Sequence, residues 1–124
     1  MNTLPNHRIL IADDDKELAI ILEDELTYSG YDVRVADNGE KAIALLQKNN
    51  FDAAILDIRM PKVDGFGVLK FVKEKFPAMR VIMLTGFADL TNSVKSKEFG
   101  ADEFMEKPYN LEVIRHTLDI LLAQ

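Results

Sequence analysis

Residues 9–15 read Ile-Leu-Ile-Ala-Asp-Asp-Asp, four apolar residues followed by three carboxylates. An uninterrupted apolar run of this length is typical of a β-strand that is buried on both faces. Four more short runs follow along the chain, at 33–35, 53–56, 81–84 and 104–105. Strands of this kind occur in parallel sheets that helices cover on both sides, so the runs predict the strands of such a sheet.

Longer stretches lie between these runs and carry apolar residues at the spacing of a helix face. The five stripes are Leu18, Ile21, Leu22 and Leu26; Ala42, Leu45 and Leu46; Leu69, Val72 and Phe76; Leu90, Val94 and Phe99; and Leu111, Ile114, Leu118 and Leu121. Gly30, Pro77 and Gly100 end three of the predicted helices, and Asn110 is placed to cap the last one. The alternation predicts an α/β fold, a doubly wound (βα)5 domain with a five-stranded parallel sheet and helices on both faces.

Composition limits the function as well as the fold. The chain has 124 residues, of which 48% are hydrophobic and 29% charged, and it carries a net charge of −6. Those values predict one globular domain, and the negative charge argues against direct nucleic-acid binding. The sequence contains no cysteine, which excludes disulfides and thiolate chemistry. We expect no membrane segment and no signal peptide, with a lean towards the cytoplasm.

The residues that follow the apolar runs are of types that bind metals or phosphoryl groups. They are Asp13-Asp14-Asp15, Asp57, Thr85-Gly86 and Lys107-Pro108. Because the carboxyl ends of parallel strands meet at one edge of the sheet, we expect these groups to converge there.

Asp13, Asp14 and Asp57 would repel one another unless a cation lay between them. Mg²⁺ favours a few carboxylates, water and a phosphate oxygen, which is what this set offers. Lys107 supplies a point charge for phosphate oxygens, and Thr85 supplies a hydroxyl. A carboxylate that attacks phosphorus forms an acyl phosphate, and Asp57 stands alone at a strand end as the candidate acceptor.

Each feature also has an ordinary structural explanation. Three aspartates before a helix commonly supply an N-cap and favourable charge at the helix start. A single Asp, a Thr-Gly pair and a Lys-Pro pair are common in turns. The occurrence of all four at strand ends in one chain favours a functional site.

Four segments resemble the receiver domain of two-component response regulators. They are residues 9–15, Leu56 to Gly65 (Leu-Asp-Ile-Arg-Met-Pro-Lys-Val-Asp-Gly), Leu84-Thr85-Gly86, and Gly100 to Pro108. The resemblance covers about residues 8 to 122 and implies one receiver domain, residues 1–124, with the strand order 2-1-3-4-5.

The resemblance implies that Asp57 receives a phosphoryl group from a sensor histidine kinase or a histidine phosphotransfer protein. It implies Mg²⁺, with Mn²⁺ as an alternative, bound by Asp14, Asp57 and the backbone carbonyl of Arg59, with Asp13 holding a coordinating water.

Further roles follow from the same resemblance. Lys107 would pair with the phosphoryl group and precede a cis Pro108, while Thr85 and Phe104 would act as the switch residues. The output surface would lie on the fourth helix, fifth strand and fifth helix. The implied partner is a downstream protein, or an output domain of a longer regulator.

Two positions depart from the common family pattern. Gly86 replaces a small alanine, and Phe104 replaces a frequent tyrosine and so lacks its hydroxyl. Arg59 and Phe87 occupy positions that influence hydrolysis of the acyl phosphate in the family.

Two other functions remain open. A Mg²⁺-dependent aspartyl phosphatase usually carries a second aspartate two residues beyond the nucleophile, and that position is Arg59, which cannot protonate a leaving group. A receiver-like module that only mediates protein contacts would have no evident reason to keep a costly carboxylate cluster. We therefore predict a phospho-acceptor switch and not a turnover enzyme.

Overall fold

The computed structural model describes residues 6–86, 90–107 and 110–123. Strands and helices alternate along the chain as predicted. The strands are β1 Arg8–Ala12, β2 Asp32–Ala36, β3 Ala53–Asp57, β4 Arg80–Thr85 and β5 Glu103–Glu106. The helices are α1 Lys16–Tyr28, α2 Gly39–Lys48, α3 Gly65–Lys75, α4 Leu90–Glu98 and α5 Leu111–Ala123.

The five strands form one parallel sheet in the order β2-β1-β3-β4-β5, which confirms the predicted fold and strand order. The register aligns Ala12 with Leu56, Asp57 with Leu84, and Thr85 with Glu106. Strands β1, β3, β4 and β5 therefore end at nearly the same level. This alignment places the residues that follow them along one edge of the sheet.

Burial on both faces explains why the central strands are apolar throughout. Leu10 and Ala12 point to a core formed with α2 and α3, whereas Ile9 and Ile11 point to a core formed with α1 and α5. All five residues of β3 are buried. Because the strand alternates between two apolar layers, it has no polar face, as the unbroken runs predicted. Within the part of the chain that the structure describes, no helix is both long and apolar enough to cross a bilayer.

Local signals account for the helix ends. Asn38 caps α2 by accepting a hydrogen bond from the Lys41 amide at 2.8 Å. Asn110 accepts one from Val113 at 3.1 Å, as expected of the α5 cap. Gly30 and Gly100 follow their helices with φ of 100° and 96°, a conformation that favours glycine. The predicted ends of α1 and α4 at Gly30 and Gly100 and the predicted Asn110 cap of α5 are confirmed.

For two residues of the predicted stripes, Ile21 and Val94, the expected burial is wrong. Ile21 is 49% exposed, because α1 faces the sheet through Ala19, Leu22 and Leu26, which place Ile21 at the edge of the buried face. Val94 is 46% exposed, and among residues 91–98 of α4 the buried one is Ser96. A polar residue at the centre of a helix contact gives no periodic apolar signal, so the pattern misassigned this face.

Candidate functional site

Asp57 is the last residue of β3 and is 4% exposed. The following turn is held by the Ile58 amide, which donates to Leu84 O at 2.9 Å, and by the Gly65 amide, which donates to Ile58 O at 2.8 Å. A Cβ on Gly65 would lie 2.2 Å from the carbonyl oxygen of Asp57. Only glycine lets the start of α3 lie this close to the strand end, so Gly65 positions Asp57. The motif from Leu56 to Gly65 included this glycine, but the sequence did not show that Gly65 positions Asp57.

The structure brings Asp13 and Asp14 to Asp57. Carboxylate oxygens of all three lie within 4.8 Å of one another. Asp13 is buried, and its backbone amide donates to Ala36 O at 3.0 Å, which fixes the chain at the end of β1. Asp14 is exposed at the open side of the cluster. We call these three residues the acidic cluster.

Asp15 has a different task. Its carboxylate accepts a hydrogen bond from the Leu18 amide at 3.2 Å and so caps α1. The third aspartate therefore has the ordinary structural role of an N-cap, while the two before it join the acidic cluster.

Lys107 closes the cluster on the side of β5. Its Nζ lies 3.0 Å from a carboxylate oxygen of Asp13 and 3.2 Å from one of Asp57. The side chain is 15% exposed, so this contact is shielded from water. The backbone amide of Lys107 donates to Thr85 O at 2.7 Å, which ties the end of β5 to the end of β4.

Burial and charge shift the pKa values in this cluster. Burial raises the pKa of Asp57 to about 7, the Asp13 carboxylate adds to the rise, and the Lys107 ammonium opposes it. Burial by itself lowers the pKa of Lys107, but the hydrogen bonds and charges of Asp13 and Asp57 outweigh it, and the net shift is upward. One ammonium thus offsets only part of the carboxylate charge, and a further cation would relieve the rest.

The donor set suits a hard divalent cation. All three side chains of the acidic cluster offer oxygen, and Mg²⁺ prefers oxygen ligands, whereas zinc and copper sites commonly include nitrogen or sulfur. The two histidines, His7 and His116, are exposed at the start of β1 and on α5. Arg59 is exposed in the turn after Asp57 and lines the same cavity as Asp14, the position from which its carbonyl was predicted to act.

The predicted switch residues lie beside this edge. Thr85 is the last residue of β4 and is fully buried. Phe104 is half-buried in β5, opposite Met83. Gly86 is exposed, and a Cβ there would meet no atom within 4 Å. Phe87 and Pro108, including the predicted cis bond of the latter, lie outside the described residues.

Comparison with known proteins agrees with this geometry. The family model described as "Response regulator receiver domain" matches residues 9–119. The chain is 38% identical over 118 residues to a probable transcriptional regulator, ycf27, of Cyanidium caldarium, covering 95% of this chain and 47% of the relative. It is 32% identical to the response regulator MprA of a Mycobacterium species, covering 94% of this chain and 51% of that protein. The chain thus spans about half the length of these curated relatives.

A solved structure gives the same result. The CheY-like response regulator receiver domain protein of Methanospirillum hungatei superposes with a TM-score of 0.92 at 33% identity, over 96% of this chain and 95% of that one. The family model, the relatives and the fold all agree with the resemblance seen in the sequence. This chain belongs to the response regulator receiver domain family of two-component systems.

Proposed function

We propose that residues 1–124 form a single receiver domain, a phospho-acceptor switch in which Asp57 receives the phosphoryl group. The observation that carries this proposal is the convergence of Asp57 with Asp13, Asp14 and Lys107, the three carboxylates within 4.8 Å and the ammonium 3.2 Å from the acceptor. The proposed donor is a phosphohistidine on a sensor histidine kinase or a histidine phosphotransfer protein.

In the transfer, a carboxylate oxygen of Asp57 forms a bond to phosphorus while the phosphorus–nitrogen bond of the donor breaks. The electron pair of that bond stays on the imidazole nitrogen. Lys107 and the Thr85 hydroxyl hold the phosphoryl oxygens, and the burial of Asp57 excludes competing water. The released acceptor carries an acyl phosphate.

The metal belongs to the same proposal. Asp14, Asp57 and the Arg59 carbonyl would hold Mg²⁺ directly, with Mn²⁺ as an alternative, and Asp13 would hold it through water. When bound, the cation neutralises charge on the phosphoryl oxygens.

The proposed output follows from the position of the site. Thr85 is the last residue of β4 and Lys107 follows β5. Strand β5 contacts α4, and β4 packs against α5. When Lys107 and Thr85 turn to the phosphoryl group, β5, with Phe104, and the helices beside it would rearrange. The α4-β5-α5 surface would then bind a downstream protein or the remainder of a longer regulator. The cytoplasmic location and the lack of direct nucleic-acid binding stay predictions.

Acetyl phosphate with Mg²⁺ tests the proposal. We expect an acyl phosphate detected by mass spectrometry on the parent chain and on Asp24→Asn, an exposed residue of α1, and none on Asp57→Asn. Labelling of Asp57→Asn as strong as that of the parent would contradict the assignment. Rapid turnover of a small phosphoester would instead indicate a phosphatase.

A further inference from the structure

The charge of the chain is unevenly distributed. Between Arg59 and Phe99 the sequence has eight Lys and Arg against four Asp and Glu, although the net charge of the whole chain is −6. This segment contains α3, β4 and α4. Two of the eight, Lys73 and Arg80, pair with Asp102. The other charged residues of α3 and α4 still have an excess of lysine, so this side of an otherwise acidic protein attracts anions. Those charged residues are Lys70, Lys75, Lys95 and Lys97 against Glu74 and Glu98.

Two helix faces meet on this side. Phe66 and Lys70 lie one turn apart on α3, and Lys95 on α4 lies one turn before Phe99. The rings of Phe66 and Phe99 meet edge to face, with centroids 6.0 Å apart. The two lysines are exposed over these rings, of which Phe66 is itself buried, and we call the four residues the α3–α4 seam.

The rings hold the lysine ammonium groups in place. The Nζ of Lys95 lies 4.5 Å from the centroid of Phe66 and 5.7 Å from that of Phe99. The Nζ of Lys70 lies 5.8 Å from the centroid of Phe99. Because cation–π contacts already restrict these flexible side chains, less conformational entropy is lost when an anion binds them.

These charges are available for a partner. Lys70 and Lys95 are exposed, and neither forms an ion pair with a carboxylate of residues 6–86, 90–107 or 110–123. Lys73, on the same helix, differs, since its Nζ donates to Met79 O at 2.8 Å and lies 3.9 Å from Asp102. Within the described ranges Lys73 is therefore paired with a carboxylate, whereas Lys70 and Lys95 contact only the phenylalanine rings and solvent.

One end of the seam reaches the acidic cluster. A cavity of about 550 Å³ is lined by Phe66 and Lys95 of the seam and by Asp14, Asp64 and Arg59. The carboxylates of Asp14 and Asp64 would repel a continuous phosphate backbone that followed the seam into this cavity. A short acidic peptide can bind the two lysines without extending into the cavity, and so avoids this repulsion. The geometry therefore favours an acidic peptide over a nucleic acid.

We propose that the α3–α4 seam binds a short acidic segment of a partner protein, whose carboxylates pair with Lys70 and Lys95 above the two phenylalanine rings. The proposal does not depend on phosphorylation of Asp57. It assigns an interaction surface separate from α4-β5-α5, because it uses the side of α4 that faces α3.

An acetylated hexaglutamate peptide is the probe. Titrated into the isotope-labelled chain at low ionic strength, it should shift the amide signals of α3 and α4 around Phe66, Lys70, Lys95 and Phe99. The affinity should fall about tenfold in Lys70→Glu/Lys95→Glu, because two attractive contacts become repulsive, and weaken as salt is added. The double variant Lys70→Arg/Lys95→Arg should retain binding, since arginine keeps the charge and stacks on aromatic rings.

The matched control is Lys48→Glu, which reverses an exposed lysine of α2 away from the seam and should change the affinity less than about twofold. The single variants Lys70→Glu and Lys95→Glu reverse one charge each, as Lys48→Glu does. An equal loss of affinity in all three would overturn the proposal, because net charge alone would then explain binding. Tighter binding of a single-stranded DNA hexamer than of hexaglutamate would overturn it in favour of a nucleic acid. Thermal unfolding of each variant shows whether it is folded, and acetyl-phosphate labelling of the same samples reports on Asp57 separately.

Discussion

The Nζ of Lys107 lies 3.2 Å from a carboxylate oxygen of Asp57, although 50 residues separate them in sequence. The same Nζ lies 3.0 Å from Asp13. The ammonium is thus a resident cation in the acidic cluster and competes with any metal for the carboxylate charge.

Replacing Lys107 should separate metal binding from phosphoryl transfer. In Lys107→Met the competing charge is gone, so Mg²⁺ affinity should rise by about tenfold, the equivalent of one pKa unit. Labelling by acetyl phosphate should slow, because the phosphoryl oxygens lose a partner. Calorimetry measures the first effect and mass spectrometry the second. Lys97→Met, an exposed residue of α4, is the control. Unchanged Mg²⁺ affinity in Lys107→Met would rule out the competition.

The raised pKa of Asp57 predicts how stability depends on pH. The pKa is about 7 in the folded chain against an ordinary value of 3.8. Between these values the folded chain binds a proton that the unfolded chain has lost, so this group favours unfolding increasingly as pH rises from about 4 to about 8. Asp57→Asn cannot ionise. It should therefore be more stable than the parent at pH 8, on the order of 2 kcal/mol, and nearly equal to it at pH 4.

Urea unfolding of both chains across this pH range measures the difference. Saturating Mg²⁺ at pH 8 should raise the free energy of unfolding of the parent and leave that of Asp57→Asn nearly unchanged. If the difference in free energy of unfolding between the two chains stayed constant from pH 4 to pH 8, ionisation of Asp57 would not destabilise the folded chain.

Gly65 and Gly86 form a matched pair of glycines at the site. A Cβ on Gly65 would meet the backbone of Asp57 at 2.2 Å, whereas a Cβ on Gly86 would meet no atom within 4 Å. Gly65→Ala should lower the free energy of unfolding by about 1–3 kcal/mol and slow labelling of Asp57. Gly86→Ala should raise the free energy by about 0.4–1 kcal/mol, because alanine restricts the unfolded chain. Equal effects would contradict the close approach at Gly65.

Ser96 is a polar residue where α4 meets the sheet. It is 1% exposed, its Oγ has no hydrogen-bond partner among the described residues, and it borders a cavity of about 320 Å³ that Phe104 also lines. Ser96→Ala removes the buried hydroxyl and should raise the free energy of unfolding by about 1 kcal/mol. Ser93→Ala on the same helix controls for helix propensity. A gain in Ser96→Ala no larger than in Ser93→Ala would mean that water already satisfies Ser96.

Parts of the fold were predictable because their signals are local. The apolar runs located all five strands within a few residues, and Gly30, Gly100 and Asn110 marked helix ends through their own backbone and side-chain chemistry. The buried face of α4 could not be predicted from such local signals. Among residues 91–98 of α4 the buried residue is Ser96, and an apolar periodicity cannot reveal a buried serine.

By itself the sequence determined that β-strands and helices alternate and that acidic, hydroxyl and basic residues follow the strands, because each of these features depends on neighbours in the chain. From the order of these residues it also assigned Asp13 and Asp14, together with Asp57, to one site and expected Lys107 there. Only the tertiary structure decided that Asp15 caps α1 and that one Lys107 ammonium pairs with both Asp13 and Asp57. It alone revealed the close approach at Gly65. These distances depend on the register of strands that are far apart in sequence, and packing of the sheet, not local propensity, sets that register.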